Sequence, residues 1–248
     1  MADRPGPPGV GTALSVARPG PAVGRGVFIT LEGPDGSGKT SQAARLAASL
    51  EAEGHAVILA REPGGTELGE RLRELLLHRD DLTIEPLADA LLFNAARAQL
   101  VGEVIRPALA AGRTVVCARF ADSTLAYQGH GAGLDLALLR GLETIATAGL
   151  RPDLTILLDL PVEAGLARKR RGRAALTRFE SRADVAFHRR VRDGFLRLAR
   201  AEPGRWRVVD AARPRTAVAA DVKAAVRSYL DASPRPGMIP PHGEREGL

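Results

Sequence analysis

Residues 33–40, Gly33-Pro34-Asp35-Gly36-Ser37-Gly38-Lys39-Thr40, follow the pattern G-x-x-x-x-G-K-[ST]. Few eight-residue stretches restrict a fold so strongly, because the pattern works only as a loop between a strand and a helix. The chain supplies both neighbours. Val27–Glu32 is an apolar run of strand character, and beyond the loop Ala43, Leu46, Ala47 and Leu50 recur at i, i+3, i+4, i+7, the spacing of one helical face. Gly54 then stops that helix. The glycines let consecutive backbone N–H groups turn inward on a phosphate with no Cβ in the way. The helix start adds partial positive charge. Lys39 brings a full charge to the β- and γ-phosphates, and the Thr40 hydroxyl is placed to ligate Mg2+. Gly33, Pro34, Asp35, Gly36, Ser37, Gly38, Lys39 and Thr40 are therefore the expected triphosphate cradle.

Four more short apolar runs follow: Ala56–Ala60, Thr114–Ala118, Leu154–Leu160 and Arg207–Asp210. They are apolar on both faces, as strands of a covered parallel sheet are. Helical patterns lie between and after them, near 67–78, 86–111, 135–148, 162–172, 182–201 and 215–231. Strand–helix alternation predicts an α/β, three-layer P-loop NTPase fold, with a five-stranded parallel sheet flanked by helices. Ligands of such sheets sit at the carboxyl ends of the strands. Residues 1–25 and 233–248 are rich in Gly and Pro without periodicity, and are expected to be disordered tails. One domain is expected over 26–232.

The hydrophobic fraction is 45% but the aromatic fraction only 4%, so the core must be built from Leu, Val, Ile and Ala. A single cysteine, Cys117, excludes an internal disulfide and a Cys-rich zinc site. It lies in an apolar run and reads as a small buried hydrophobe. No apolar stretch approaches the ~20 residues that span a bilayer, and the first 25 residues lack the apolar core of a signal peptide. No membrane partner and a cytoplasmic location are expected. The net charge is +6. Between Ala164 and Phe179 there is no acid, while Arg168, Lys169, Arg170, Arg171, Arg173 and Arg178 all fall there. So local a cluster suits a small polyphosphate better than a nucleic acid.

A P-loop does not fix the second substrate, and here the remaining segments speak together. Phe28-Ile29-Thr30-Leu31-Glu32 with the loop, Arg61-Glu62-Pro63-Gly64-Gly65-Thr66, Leu91-Leu92-Phe93, Asp122-Ser123-Thr124-Leu125-Ala126-Tyr127-Gln128-Gly129, Gly149-Leu150-Arg151-Pro152-Asp153-Leu154 and Thr177-Arg178-Phe179-Glu180 resemble the bacterial thymidylate kinase family. The resemblance runs from about residue 27 to 230. It implies an ATP-dependent, Mg2+-assisted phosphorylation of dTMP to dTDP by a homodimer. It implies that Asp35 accepts a hydrogen bond from the deoxyribose 3′-hydroxyl and that Phe93 stacks on the base. Arg97, one turn on from Phe93, would reach the pyrimidine edge, and Thr124 and Gln128 would complete the base pocket. Tyr127 would pack under the sugar. Arg73 and Arg119 would hold the acceptor phosphate, for which planar guanidinium groups are suited. Glu62, Pro63 and Ser123 belong to the same acceptor set. The segment 168–181 would be a lid over ATP, with Arg168 and Arg171 on the nucleotide. With Gly at position 36, the catalytic arginine would come from that lid, as Arg178, acting with Lys39 and Arg119.

The pattern departs from the family at three places where an arginine keeps its position and an acidic neighbour is missing: Ala96-Arg97, Ala118-Arg119 and Thr177-Arg178. A carboxylate at 118 would lie near the metal. Asp159 and Glu62 are candidates to replace it, and Glu180 and Asp159 are expected beside Thr40 as metal ligands. The missing acids also leave two further readings. One is a related kinase for another or a modified nucleoside monophosphate in specialised metabolism. The other is a nucleotide-binding protein with weak catalysis.

Overall fold

Five parallel strands carry the fold, in the spatial order β2-β3-β1-β4-β5. They are β1 (Phe28–Glu32), β2 (Val57–Arg61), β3 (Thr114–Ala118), β4 (Leu154–Asp159) and β5 (Trp206–Asp210). The computed structural model describes residues 25–79, 81–171 and 184–232. The expected tails at 1–24 and 233–248, and residues 172–181 of the expected lid, lie outside the described residues.

The order reverses beside β1. Leu31 pairs with Ala118 of β3 on one side and with Ile156 of β4 on the other. The loop after β1 therefore opens at the switch point of the sheet, where a crevice forms. Side chains of β1 alternate between the two faces. Ile29 and Leu31 pack with Leu46 and Leu50 of α1 (Lys39–Ala52) and with Val222 and Val226 of the last helix (Arg215–Ala232). Phe28 faces the other side and packs with Leu100, Ile105, Cys117 and Phe120. A third cluster joins Tyr127, Leu157, Phe195 and Trp206. Cys117 is buried among apolar neighbours, as its sequence context suggests.

The remaining helices numbered here are α2 (Glu67–His78), α3 (Pro86–Leu100), α4 (Arg106–Ala110), α5 (Ala121–Thr124), α6 (Leu136–Thr147), α7 (Val162–Arg171), α8 (Val185–Ala201) and α9 (Arg215–Ala232). Their starts are written locally. Thr66 caps α2 by accepting from Gly69 N, Asp135 caps α6 through Leu138 N, and Asp184 caps α8 through Phe187 N.

The structure changes two expectations and adds one element that the sequence patterns do not announce. The helix expected over 86–111 winds wide, as a π-helix, at Val101–Ile105, and resumes as α4 with Pro107 in its first turn. Pro107 has no N–H for the carbonyl of Glu103, so the regular ladder cannot run through. The segment after α5 is also π-helical, over Leu125–Gly131. Finally, the edge strands are not covered on both faces: Leu59 of β2 and Val208 of β5 are 50% and 54% exposed.

Candidate active site

A cavity of about 870 Å³ opens at the carboxyl end of the sheet. It runs from Asp35–Thr40 at one end to Phe93, Arg97, Thr124 and Gln128 at the other, with Arg61, Glu62, Pro63, Arg73, Ala118, Arg119, Ser123 and Tyr127 between. Arg168 and Arg171 line the first end. The cavity thus gathers nearly every residue singled out from sequence. Gly33 and Pro34 turn the chain behind the lining. Arg178 and Glu180 lie outside the described residues.

At the first end the loop is shaped by glycines. Gly33, Gly36 and Gly38 all have positive φ, at 140°, 77° and 93°. Gly36 has a second reason to lack a side chain. A Cβ there would lie 2.2 Å from the carbonyl oxygen of Gly165, and a Cβ on Gly165 would lie 2.3 Å from that of Asp35. Helix α7 therefore rests its backbone directly on the loop, and no arginine could grow from position 36 without displacing it. Lys39 is nearly buried and donates to Gly33 O and Pro34 O, both at 2.8 Å, and to Ser37 Oγ at 3.3 Å. Burial, and then the charge of Arg119, push its pKa down to about 7. An incoming polyphosphate supplies the negative charge that holds it protonated. Thr40 is exposed on the first turn of α1 and faces the cavity.

At the other end the charges are already paired. Arg119 directly follows β3, and its backbone is left-handed, with φ 72°. That conformation costs about 1–2 kcal/mol for a residue with a Cβ. Its Nη2 donates to Asp35 and, at 3.1 Å, to the Tyr127 hydroxyl, and its Nη1 donates to Ser123 Oγ at 3.3 Å. The guanidinium also lies 4.9 Å from the centre of the Tyr127 ring. Burial alone would raise the Asp35 carboxyl, but Arg119 and Lys39 outweigh it and hold it below its ordinary value.

Arg97 is 1% exposed. It is clamped by Glu62 Oε2 at 2.9 Å, Asn94 Oδ1 at 3.1 Å and the carbonyl of Phe120 at 3.2 Å. Burial pushes the Glu62 carboxyl up and Arg97 pulls it back. Gln128 donates to Asp89 of α3 at 2.8 Å, which fixes its amide at the cavity wall. Arg73 differs from both other arginines. It is half-buried, donates to Pro63 O at 2.8 Å, and among the described residues pairs with no carboxylate. Burial and the neighbouring charges of Arg61 and Arg119 depress its pKa. Three guanidinium groups thus converge on one stretch of wall, an arrangement that an anion would stabilise.

Under this wall lies Glu32, fully buried at the end of β1. Its carboxylate accepts from Phe120 N at 2.7 Å and from Ser123 Oγ at 2.6 Å. Burial, and then Asp122, raise its pKa to about 7. Ala118 lines the cavity and offers no carboxylate.

For a metal, the described wall supplies the Thr40 hydroxyl, while its carboxylates Asp35 and Glu62 are held by Arg119 and Arg97. Asp159, put forward from sequence, is corrected here. Both its oxygens are taken by Arg192, at 2.7 and 2.8 Å, and it does not line the cavity. Among the described residues no group of three or more His, Cys, Asp or Glu could hold an ion by itself. That donor set fits a Mg2+ that arrives with nucleotide phosphates, since Mg2+ takes most of its ligands from phosphates and water in such sites.

Sequence reasoning missed the turn after β5. Ala212, Arg213, Pro214 and Arg215 line the loop end of the cavity, and Arg168 donates to Ala211 O and Ala212 O at 2.9 and 3.3 Å. The signal was present in the rule that sites gather residues just beyond strand ends. Arg61 was also missed. It lines the cavity and pairs with Glu70 at 2.8 Å.

The comparisons with known proteins agree with one another. A sequence model described as thymidylate kinase matches residues 31–222. The chain is similar to the thymidylate kinase of Deinococcus radiodurans, with 57% identity over 202 residues, covering 82% of this chain and 97% of that one. It is 54% identical over 203 residues to the thymidylate kinase of Thermomicrobium roseum, covering 82% and 95%. Among solved structures, the thymidylate kinase of Ehrlichia chaffeensis superposes with a TM-score of 0.66 at 35% identity, covering 82% of this chain and 99% of that one.

Proposed function

We infer how this site works from one premise: the chain belongs to the thymidylate kinase family. It is a phosphotransferase that moves the γ-phosphoryl group of ATP to dTMP. The observation that supports this most directly is the shared cavity, with the P-loop at one end and Arg73, Arg119 and the Phe93–Gln128 pocket at the other.

ATP enters with its phosphates on residues 33–40. Lys39 leaves the carbonyls of Gly33 and Pro34 for the phosphate oxygens, and its charge is held on by them. The Thr40 hydroxyl would hold Mg2+, which supplies charge neutralisation on the β- and γ-phosphates. Arg168, Lys169 and Arg171 approach the same end from α7, and Arg213 and Arg215 flank the space left for the adenine side. dTMP occupies the other end. Phe93 offers a flat apolar face to the base, and Gln128 and Thr124 meet its edge. Arg97, locked by Glu62, presents a fixed guanidinium rather than a searching one. Arg73 and Arg119 hold the acceptor phosphate, and Asp35 gives up part of its hold on Arg119 to accept from the 3′-hydroxyl.

The acceptor is itself a phosphate dianion, so the site needs no strong base. Rate comes from alignment and charge neutralisation. Arg178 would complete that neutralisation from the lid.

A homodimer is proposed on separate grounds. Helices α3 and α6 leave Leu87, Leu91, Leu138 and Ile145 exposed, Ile145 to 80%. Among the described residues no helix is long and apolar enough to cross a membrane, and a cytoplasmic location fits this nucleotide chemistry.

The test is an ADP-release assay with dTMP, dUMP, dCMP, dGMP and UMP as acceptors. We expect kcat/KM for dTMP to exceed that for each of the others by about tenfold or more. Equal rates would contradict the acceptor assignment.

A further inference from the structure

We propose that Glu32 is a positioning residue for Arg119, acting through the Ser123 hydroxyl and the Phe120 N–H. The proposal rests on the reading of Arg119 as an acceptor-phosphate arginine.

Glu32 cannot touch a substrate. It is 0% exposed and does not line the cavity. A buried carboxylate is costly unless hydrogen-bonded, and this one spends both its bonds on the turn that carries Arg119. Phe120 N donates to Oε1 at 2.7 Å and Ser123 Oγ to Oε2 at 2.6 Å. Because the Ser123 proton is committed to Glu32, the Ser123 oxygen is left to accept, and Arg119 Nη1 donates to it at 3.3 Å. A freely rotating serine could instead point its proton at the guanidinium.

The backbone argument is independent of that relay. Arg119 is the left-handed residue of the turn, and such a conformation persists only when its surroundings over-determine it. Both of its flanking N–H groups are tied to the end of β1: Arg119 N donates to Leu31 O at 3.0 Å, and Phe120 N to Glu32. The direction in which Arg119 leaves the sheet is thus set by the last two residues of the strand that runs into the phosphate loop. A misplacement of about 1 Å in such a group can cost about a hundredfold in rate.

Glu32→Gln tests this with little change of shape. Its oxygen can still accept from Phe120, but its amide nitrogen cannot accept from Ser123. We expect kcat/KM for dTMP to fall about 30-fold, mainly through KM for dTMP, with KM for ATP and Tm close to wild type. Ser123→Ala is expected to lose about tenfold. The double variant is expected to match Glu32→Gln within about twofold, because the two act as one unit. Glu32→Gln kinetics within twofold of wild type, or losses that multiply in the double variant, would overturn the proposal. So would an equal rise in both KM values, which marks general loosening. Should Glu32→Gln fail to fold, Glu32→Asp decides, since one methylene less cannot hold Phe120 N and Ser123 Oγ together: a selective rise in KM for dTMP supports the relay, and wild-type kinetics overturn it. Arg119→Asn, which tolerates a left-handed backbone, runs alongside. If it keeps full activity, the reading of Arg119 itself fails. If it is inactive while Glu32→Gln behaves as wild type, only the proposal for Glu32 fails.

Discussion

The two ends of the cavity are built in different ways. The donor end takes its main parts from eight consecutive residues, and its geometry is a property of backbone: three glycines with positive φ, a lysine resting on carbonyls, and a helix lying on the loop at Gly36 and Gly165. The end where we place the acceptor draws Glu62, Arg73, Phe93 with Arg97, Arg119 and Gln128 from five separate stretches of the chain. Its geometry is a property of side chains that hold one another. Lys39 is poised to change partners when a ligand arrives. Arg97, locked by Glu62, keeps its partner, and among the described residues Arg73 is bonded to no carboxylate. A backbone site is sensitive to an added atom, and a paired side-chain site is sensitive to a removed one.

The largest expected effect tests whether the ends are separable. Lys39→Ala removes the one positively charged side chain of residues 33–40, and kcat is expected to fall by about a thousandfold. Binding of dTMP alone, measured by calorimetry, should stay within about threefold. Joint loss of dTMP binding would break the comparison. Next comes Arg97→Met. It leaves Glu62 buried without its counter-ion, and is expected to reduce stability by about 3 kcal/mol. Adding Glu62→Gln should recover most of the lost Tm. A single variant with unchanged Tm would show that the pair is not holding the acceptor wall.

Gly165→Ala adds one methyl group where the nearest atom would be 2.3 Å away, the backbone oxygen of Asp35. Either α7 or the loop must move. We expect kcat to fall about 30-fold and KM for ATP to rise, since small displacements of positioned groups are expensive in rate. Tm should fall as well, because the atom in the way is backbone, and dTMP affinity should change less than KM for ATP.

The smallest effect concerns Glu143 of α6, which faces Arg97 from behind the acceptor wall. Burial pushes its carboxyl up to about 8, opposed by Arg97 and reinforced by Asp122. A folded-state value above the unfolded 4.5 means the folded protein binds the proton more tightly. Its contribution is full at acid pH and is lost as pH rises through about 8. Glu143→Gln mimics the neutral acid, so its Tm should match wild type near pH 5 and exceed it by about 3 °C near pH 9. A difference independent of pH would contradict the assignment.

The same contrast decides what could be read before the structure. The P-loop, its flanking strand and helix, and the parallel sheet are local patterns, so they were legible from residue order alone. Arg73, Phe93 and Arg119 were expected only through resemblance, because nothing in their neighbours says that they line one cavity. The pairing of Arg97 with Glu62 spans 35 positions, and no local rule announces it. Asp159 misled for the same reason: it ends a strand, as a metal ligand should, but Arg192 of α8 arrives from a distant helix and takes both oxygens. Glu32 read as the last residue of a strand. Only the fold of the turn after β3 shows what its carboxylate holds.

The division between the two ends is tested most directly by calorimetry on Arg119→Asn, with ATP and with dTMP titrated separately. The account predicts an ATP Kd within about twofold of wild type and a dTMP Kd at least about tenfold weaker, about 1.4 kcal/mol. Equal weakening of both ligands, or of ATP alone, would contradict it.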